Sequence, residues 1–168
     1  MDRYLQWALT AIEAATRGMD SEQLMRGPER KWSAAQILEH LSLAYSGTTK
    51  LMQRTLQAGA ATATAPSIRD RIATGVVVGL RYMPGGRQAP EHTRPRGLNG
   101  GEALKAIRSN LCAMDAALDQ CEQRFGSRCK LANHPILGPL SIPQWRKFHW
   151  VHTRHHMKQI ERLRQSNS

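Results

Sequence analysis

Apolar side chains recur at helical spacing in four stretches of this chain, and the gaps between them are polar or rich in glycine and proline. Over residues 2–19 the apolar or small positions are Leu5, Ala8, Leu9, Ile12, Ala15, Thr16 and Met19. Steps of three and four place them on one face of a helix. The polar segment Asp20 to Arg30 contains Gly27-Pro28 and breaks that helix. A second helix is predicted from Ser33 to about Gln57, ahead of Gly59. Ser33 and Gln36 make an S-x-x-Q capping box, and Trp32 and Ile37 can staple across it. Its inward stripe reads Ile37, His40, Leu41, Ala44, Thr48, Leu51 and Leu56.

Residues 59–66 read as a linker. The run from Ile68 to Tyr82 is apolar but carries Gly75 and Gly79, which weaken both helix and strand. A helix is the better reading, because a lone strand would have nothing to pair with. Residues 84–101, with three prolines and many glycines, form a long loop. A third helix starts near Asn99, with Glu102 three residues on, and ends at Gly126. Its stripe is Leu104, Ile107, Leu111, Met114, Leu118 and Cys121. The segment His134 to Leu140 reads as a rigid loop. The last helix opens on a second capping box, Ser141 and Gln144, with Leu140 and Trp145 as staple. Its inward stripe is Trp145, Phe148, His149, His152, His156, Ile160 and Leu163. Four amphipathic helices must bury their stripes on one another. The fold expected is a single all-α domain over residues 1–168, an up-down four-helix bundle with a long crossover between its second and third helices.

Composition limits the function classes. Of 168 residues, 40% are hydrophobic and 22% charged, with a net charge of +11. No stretch approaches the roughly 20 apolar residues that span a bilayer. The N-terminus, Met1 to Leu5, has no leader pattern, so a cytoplasmic protein without membrane contact is expected. The positive charge favours anionic partners. Aromatic residues are only 5%, and no nucleic-acid-binding motif is present, which weighs against nucleic acid. Three cysteines without a Cys-x-x-Cys pair point away from a disulfide framework or thiolate zinc site. Cys112 and Cys121 fall in the helical pattern and read as small buried hydrophobes.

The candidate chemistry lies in the histidines. His152 and His156 are four apart, so they stand one turn above each other on one helix face. Both interrupt an apolar stripe, where an unpaired polar ring is costly. His40 interrupts the stripe of the second helix in the same way. A lone inward histidine is commonly a satisfied core residue; three on two packed helices suit a shared cation. Imidazole-only coordination suits zinc, nickel, copper or iron. Three protein ligands leave an open position, as catalytic sites do. His149 is either a further ligand or a neighbour of the site. His155 is expected off the stripe, and His92 and His134 are read as non-ligands in loops. No H-E-x-x-H motif is present, and no glutamate precedes a histidine by three.

The segments Trp32 to Leu41, His134-Pro135 to Gly138-Pro139-Leu140, and His152 to Ile160 resemble the DinB-like (YfiT-like) superfamily of metalloenzymes. The loop from His134 to Trp145 is similar to a branch known mainly as a domain of unknown function. The resemblance implies a four-helix bundle, often dimeric, with one metal held by His40, His152 and His156. It also implies thiol-dependent transfer or metal-dependent hydrolysis. Met157-Lys158 stand where many members of that superfamily carry Arg-Gly.

The resulting expectation is a metal-dependent enzyme, a hydrolase or thiol S-transferase, using zinc or nickel, with iron or copper as alternatives. The substrate expected is a small anionic compound or a thiol, with Arg146, Arg154 or loop arginines as clamps. The general base is not assigned, since Glu39 should face a quarter-turn away from His40. The competing readings are a non-catalytic metal-binding bundle and a basic module that binds nucleic acid or other anions.

Overall fold

A computed structural model describes residues 1–29, 31–85 and 88–166. In chain order its helices are α1 (Arg3–Thr16), α2 (Ser21–Met25), α3 (Ala34–Ala58), α4 (Ile68–Thr74), α5 (Gly100–Phe125) and α6 (Ile142–Ser166). α4 runs into a π-helical turn, Gly75–Gly79, and a single 3-10 turn, Glu91–Thr93, interrupts the long loop. The strands β1 (Lys130–His134) and β2 (Gly138–Ser141) pair antiparallel. The protein is therefore mostly helical, as expected, with a small two-stranded sheet.

Local chemistry explains where the helices begin and end. Ser33 with Gln36, and Asn99 with Glu102, form reciprocal capping boxes at the starts of α3 and α5. Each box satisfies backbone N–H groups that the first turn leaves unpaired. At the start of α6, Gln144 accepts from both the backbone N–H and the hydroxyl of Ser141 (3.0 and 3.2 Å). α3 ends at Gly59 (φ 71°), in the left-handed region that glycine enters without steric cost.

α3 packs along α5, and α1 along α6. The α5 stripe is buried as its spacing predicts from Ile107 on, with Ile107, Leu111, Met114, Leu118 and Cys121 all 0% exposed, whereas Leu104 is only partly buried and Ala103 takes the inner position. α3 deviates from its expected face. Ala44, Leu51 and Leu56 are only partly buried, whereas Tyr45, Met52 and Thr55 are fully inside. The stripe on α3 thus keeps Ile37, His40, Leu41 and Thr48 and shifts by one position elsewhere, forward to Tyr45 and Met52 and back to Thr55. It is set by two neighbours, α5 and α6, rather than one.

Three other expectations change. The polar break after α1 contains α2, whose Asp20–Gln23 capping box starts a single helical stretch that buries Leu24. The rigid loop at 134–140 is instead the β1–β2 hairpin. Gly138 sits there at φ 67°, and a Cβ on it would overlap the Asp70 side chain, so hairpin and α4 touch closely. Thr74 Oγ1 donates to the Leu137 carbonyl (2.8 Å) and ties the same two pieces together. Cys112 is exposed, because it follows the inward Leu111 by one residue, about 100° around the helix. Among the described residues, no helix is long and apolar enough to cross a membrane.

Leu111 is fully buried in the α3–α5 seam. Leu111→Ala should lower unfolding free energy by about 2–5 kcal/mol through lost burial and the cavity left behind. Urea denaturation followed by circular dichroism measures this; a change below about 1 kcal/mol would contradict the packing described.

Candidate metal centre

The site begins with two helices that meet over a short length. α3 carries His40 in its second turn, and α6 carries His152 and His156 on its inner face. Hydroxyl groups fasten the helices beside the histidines. The Tyr45 hydroxyl donates to Thr153 Oγ1 (2.5 Å), which itself donates to the His149 carbonyl (2.7 Å). Burial pushes the Tyr45 phenol pKa up, so it keeps its proton for this bond. Thr48 Oγ1 of α3 pairs with His149 Nε2 of α6 (2.9 Å).

His40, His152 and His156 converge. Their candidate ligand nitrogens all lie within 4.8 Å of one another. His152 Nε2 stands 3.3 Å from His40 Nε2 and 3.1 Å from His156 Nε2. The outer nitrogens establish the tautomers. His40 Nδ1–H donates to the Thr93 carbonyl (2.9 Å), and a carbonyl only accepts. His156 Nδ1–H donates to Gln159 Oε1 (2.8 Å), while the other end of that amide donates to His155 Nε2 (3.2 Å). The Nε2 atoms of His40 and His156 are therefore bare lone pairs turned toward His152. When all three rings are neutral, their Nε2 atoms share at most one proton. His152 Nδ1 is buried with no hydrogen-bond partner among the described residues.

The electrostatics keep these rings neutral. Desolvation lowers the His156 pKa to about 3, with His40 adding to the effect. Burial lowers His40 as well, against the raising effect of its bond to Thr93. His152 is pushed well below the ordinary histidine value, by burial first and then by His156 and His40. A neutral imidazole is the form that binds a metal.

The loop that supplies Thr93 is itself held by Glu39. Glu39 is buried, and its carboxylate accepts from the backbone N–H groups of Arg96 (2.8 Å), Gly97 (3.0 Å) and Leu98 (3.0 Å). It faces away from the imidazole cluster, as expected, and acts by positioning. A buried carboxylate on the helix turn of His40 was the available signal for this role; its three backbone partners lie 57 to 59 residues away and could not be read from spacing.

The remaining histidines separate from the cluster. His149 is fully enclosed, with its Nε2 on Thr48, so it does not join. His134 is on β1 rather than in a loop, and its Nδ1 accepts from the N–H groups of Ile136 and Leu137 (both 3.2 Å). His92 is exposed in the 3-10 turn. His155 is half-buried and lines the cleft, where its ring packs edge-on against His156 (5.2 Å) and its Nε2 accepts from Gln159, but it does not join the cluster. Two expected clamps are elsewhere. Arg146 is buried in ion pairs with Asp119 and Glu122, which offset its desolvation. Arg154 lies over the Trp150 ring (4.8 Å) and donates to the Arg81 carbonyl (2.6 Å). Neither lines the cleft of about 1720 Å³ onto which the three histidines open. Arg69, Arg94 and Arg162 do.

Glu39→Ala should leave three loop N–H groups without their acceptor and cost about 1–3 kcal/mol of stability. Thermal denaturation measures it, and an unchanged midpoint would contradict the positioning role. The buried histidines also set an acid limit. His134 (about 4), His149 (about 3) and His156 (about 3) lie below the unfolded value of 6.5, each chiefly through desolvation. The unfolded chain binds more protons between those values. Stability of the metal-free protein should thus be full above pH 6.5 and fall as pH drops from there toward 3–4. Melting temperature against pH tests the sign; a flat profile over that window would contradict it.

Residues 4–163 match the model of a family described as protein of unknown function, DUF1569. No curated protein and no solved structure matches the chain. The resemblance to the DinB-like superfamily is overturned by this match, because DUF1569 is a different family. Shared S-x-x-Q caps and an H-x-x-x-H pair are short patterns that helical proteins reach independently, whereas the family model spans nearly the whole chain. The chain belongs to the DUF1569 family, proteins of unknown function.

Proposed function

We propose that this protein is a divalent-metal-dependent enzyme, a hydrolase or thiol S-transferase, with His40, His152 and His156 as the metal ligands. The observation that carries the reading is the mutual approach of three Nε2 atoms that share at most one proton. A cation at their centre satisfies all three lone pairs at once, whereas a single proton on His152 Nε2 would have to be divided between His40 and His156. The 3.1 and 3.3 Å separations are also close to the edge of a tetrahedron with metal–nitrogen bonds of about 2.0–2.1 Å, roughly 3.3–3.4 Å. Thr93 and Gln159 support it further by holding two of the rings through their outer nitrogens, as partners behind metal ligands usually do.

The four long helices α1, α3, α5 and α6 are read as an up-down bundle, with a long crossover between α3 and α5 that brings Thr93 onto His40. A bound zinc or nickel ion supplies Lewis acidity and lowers the pKa of a water or thiol at its open position. Three neutral ligands leave the ion its full positive charge, which strengthens that effect. The chain's own part is to hold the rings, keep them unprotonated at neutral pH and open them onto the cleft. No carboxylate lines that cleft among the described residues, so the reading needs no acid–base carboxylate pair.

The zinc-loaded protein should contain one ion per chain and melt higher than the metal-free form. A ligand at a hundred times its Kd adds about 2.7 kcal/mol. His152→Ala, alone or with His156→Ala, should abolish both the ion and the shift. Elemental analysis with thermal denaturation tests this. A wild-type protein that takes up neither zinc nor nickel would overturn the reading. Turnover of an activated aryl ester, or of a thiol with an electrophilic acceptor, by the loaded protein separates hydrolysis from thiol transfer.

A further inference from the structure

The walls of the cleft carry a chemical asymmetry that the three histidines do not explain. Among the described residues four cations line it, Lys31, Arg69, Arg94 and Arg162, and all four are exposed. Among the described residues, none of them forms an ion pair with a carboxylate, and none that lines the cleft is an aspartate or glutamate. A rim of one sign over low-dielectric walls focuses its field and concentrates ligands of the opposite sign. Arginines in such a place can take a carboxylate through two parallel hydrogen bonds.

Beside the histidines and Gln36, Gln88 and Gln159, much of the remaining wall is apolar. α4 and its π-helical extension present Ile72 and Val76, the hairpin presents Ile136, and Met83 and Phe148 also line the space. Ile72 is 63% exposed and Ile136 is 46% exposed. Branched aliphatic side chains left that open on a concave wall gain free energy when apolar matter covers them. The segment bearing Ile72 is not loose, because Thr74 and Asp70 hold it against the hairpin. The apolar wall is therefore a preformed surface, which lowers the ordering cost of binding.

We propose that the cleft takes an amphipathic organic anion, an apolar chain ending in a carboxylate. The apolar body would lie along Ile72, Val76 and Ile136, and the anionic group would meet Arg69 and Arg162. This inference rests on the proposed metal reading only for orientation, which places the reacting end of the ligand toward the histidines. It separates the ligand from a short acid and from a neutral chain, neither of which presents both features that the wall recognises.

Isothermal titration of the full-length, zinc-loaded protein with decanoate, decanol and butyrate tests the proposal. Decanoate should bind at least about tenfold more tightly than either, two kinds of contact being lost one at a time. Arg69→Glu with Arg162→Glu should weaken decanoate about tenfold or more and leave decanol unchanged. Ile72→Glu should weaken both. Circular dichroism confirms folding, and Arg69→Gln with Arg162→Gln is the milder pair if the reversal unfolds. Equal affinities for decanoate and decanol, unchanged decanoate affinity in both arginine pairs, or no binding of decanoate by protein that holds one zinc would each overturn the proposal. Protein that takes no zinc yet prefers decanoate would support the ligand class and count against the metal reading alone.

Discussion

Three neutral imidazoles face one another across the junction of α3 and α6, and their inward nitrogens have too few protons to satisfy each other. That constraint organises what surrounds it. Lone pairs held about 3 Å apart inside a protein repel unless something positive lies between them or a proton is shared. The surroundings make the arrangement persist. Burial keeps the rings from protonating apart, and the Thr93 carbonyl and Gln159 amide take the outer protons of His40 and His156. The long loop is part of the same device, since Glu39 anchors its backbone one residue before His40.

Fastening the two helices matters because they touch over a limited length. α3 has α5 as its main neighbour and α6 has α1. The cluster thus depends on polar pins where hydrophobic contact is sparse: Tyr45 on Thr153, and Thr48 on His149. These hydroxyl bonds are directional, whereas apolar contact is not. They set the rotation of each helix, and a small rotation would part the nitrogens. His149, close in sequence to His152 and His156, serves the pins and not the cluster.

Charge is distributed in keeping with this division. Acidic residues are used structurally: Glu39 holds the loop, Asp119 and Glu122 neutralise Arg146, and Asp70 caps α4. Among the described residues the cleft is lined by cations, apolar side chains, glutamines and histidines, with no carboxylate. An excess of +11 over the chain would by itself suggest any polyanion. Lys31, Arg69, Arg94 and Arg162 place part of that excess on the walls of one concavity, and this placement motivates the anionic ligand proposed above.

Much of this was determined by sequence alone, where the physics is local. Helical spacing and capping boxes located α1, α3, α5 and α6 to within a few residues, because those signals act over one or two turns. The i, i+4 step of His152 and His156 dictated that they share a face, and stripe position singled out His40. Tertiary structure decided the rest. The β1–β2 hairpin, the inward turn of Tyr45 and Met52, the loss of Arg146 to an ion pair and the anchoring of Thr93 by Glu39 all join residues far apart in the chain. The family was missed for a related reason: short caps and a histidine pair are local motifs that different families share. Periodicity ranks the faces of one helix, but which face meets which neighbour is settled only when all the helices compete for the same core.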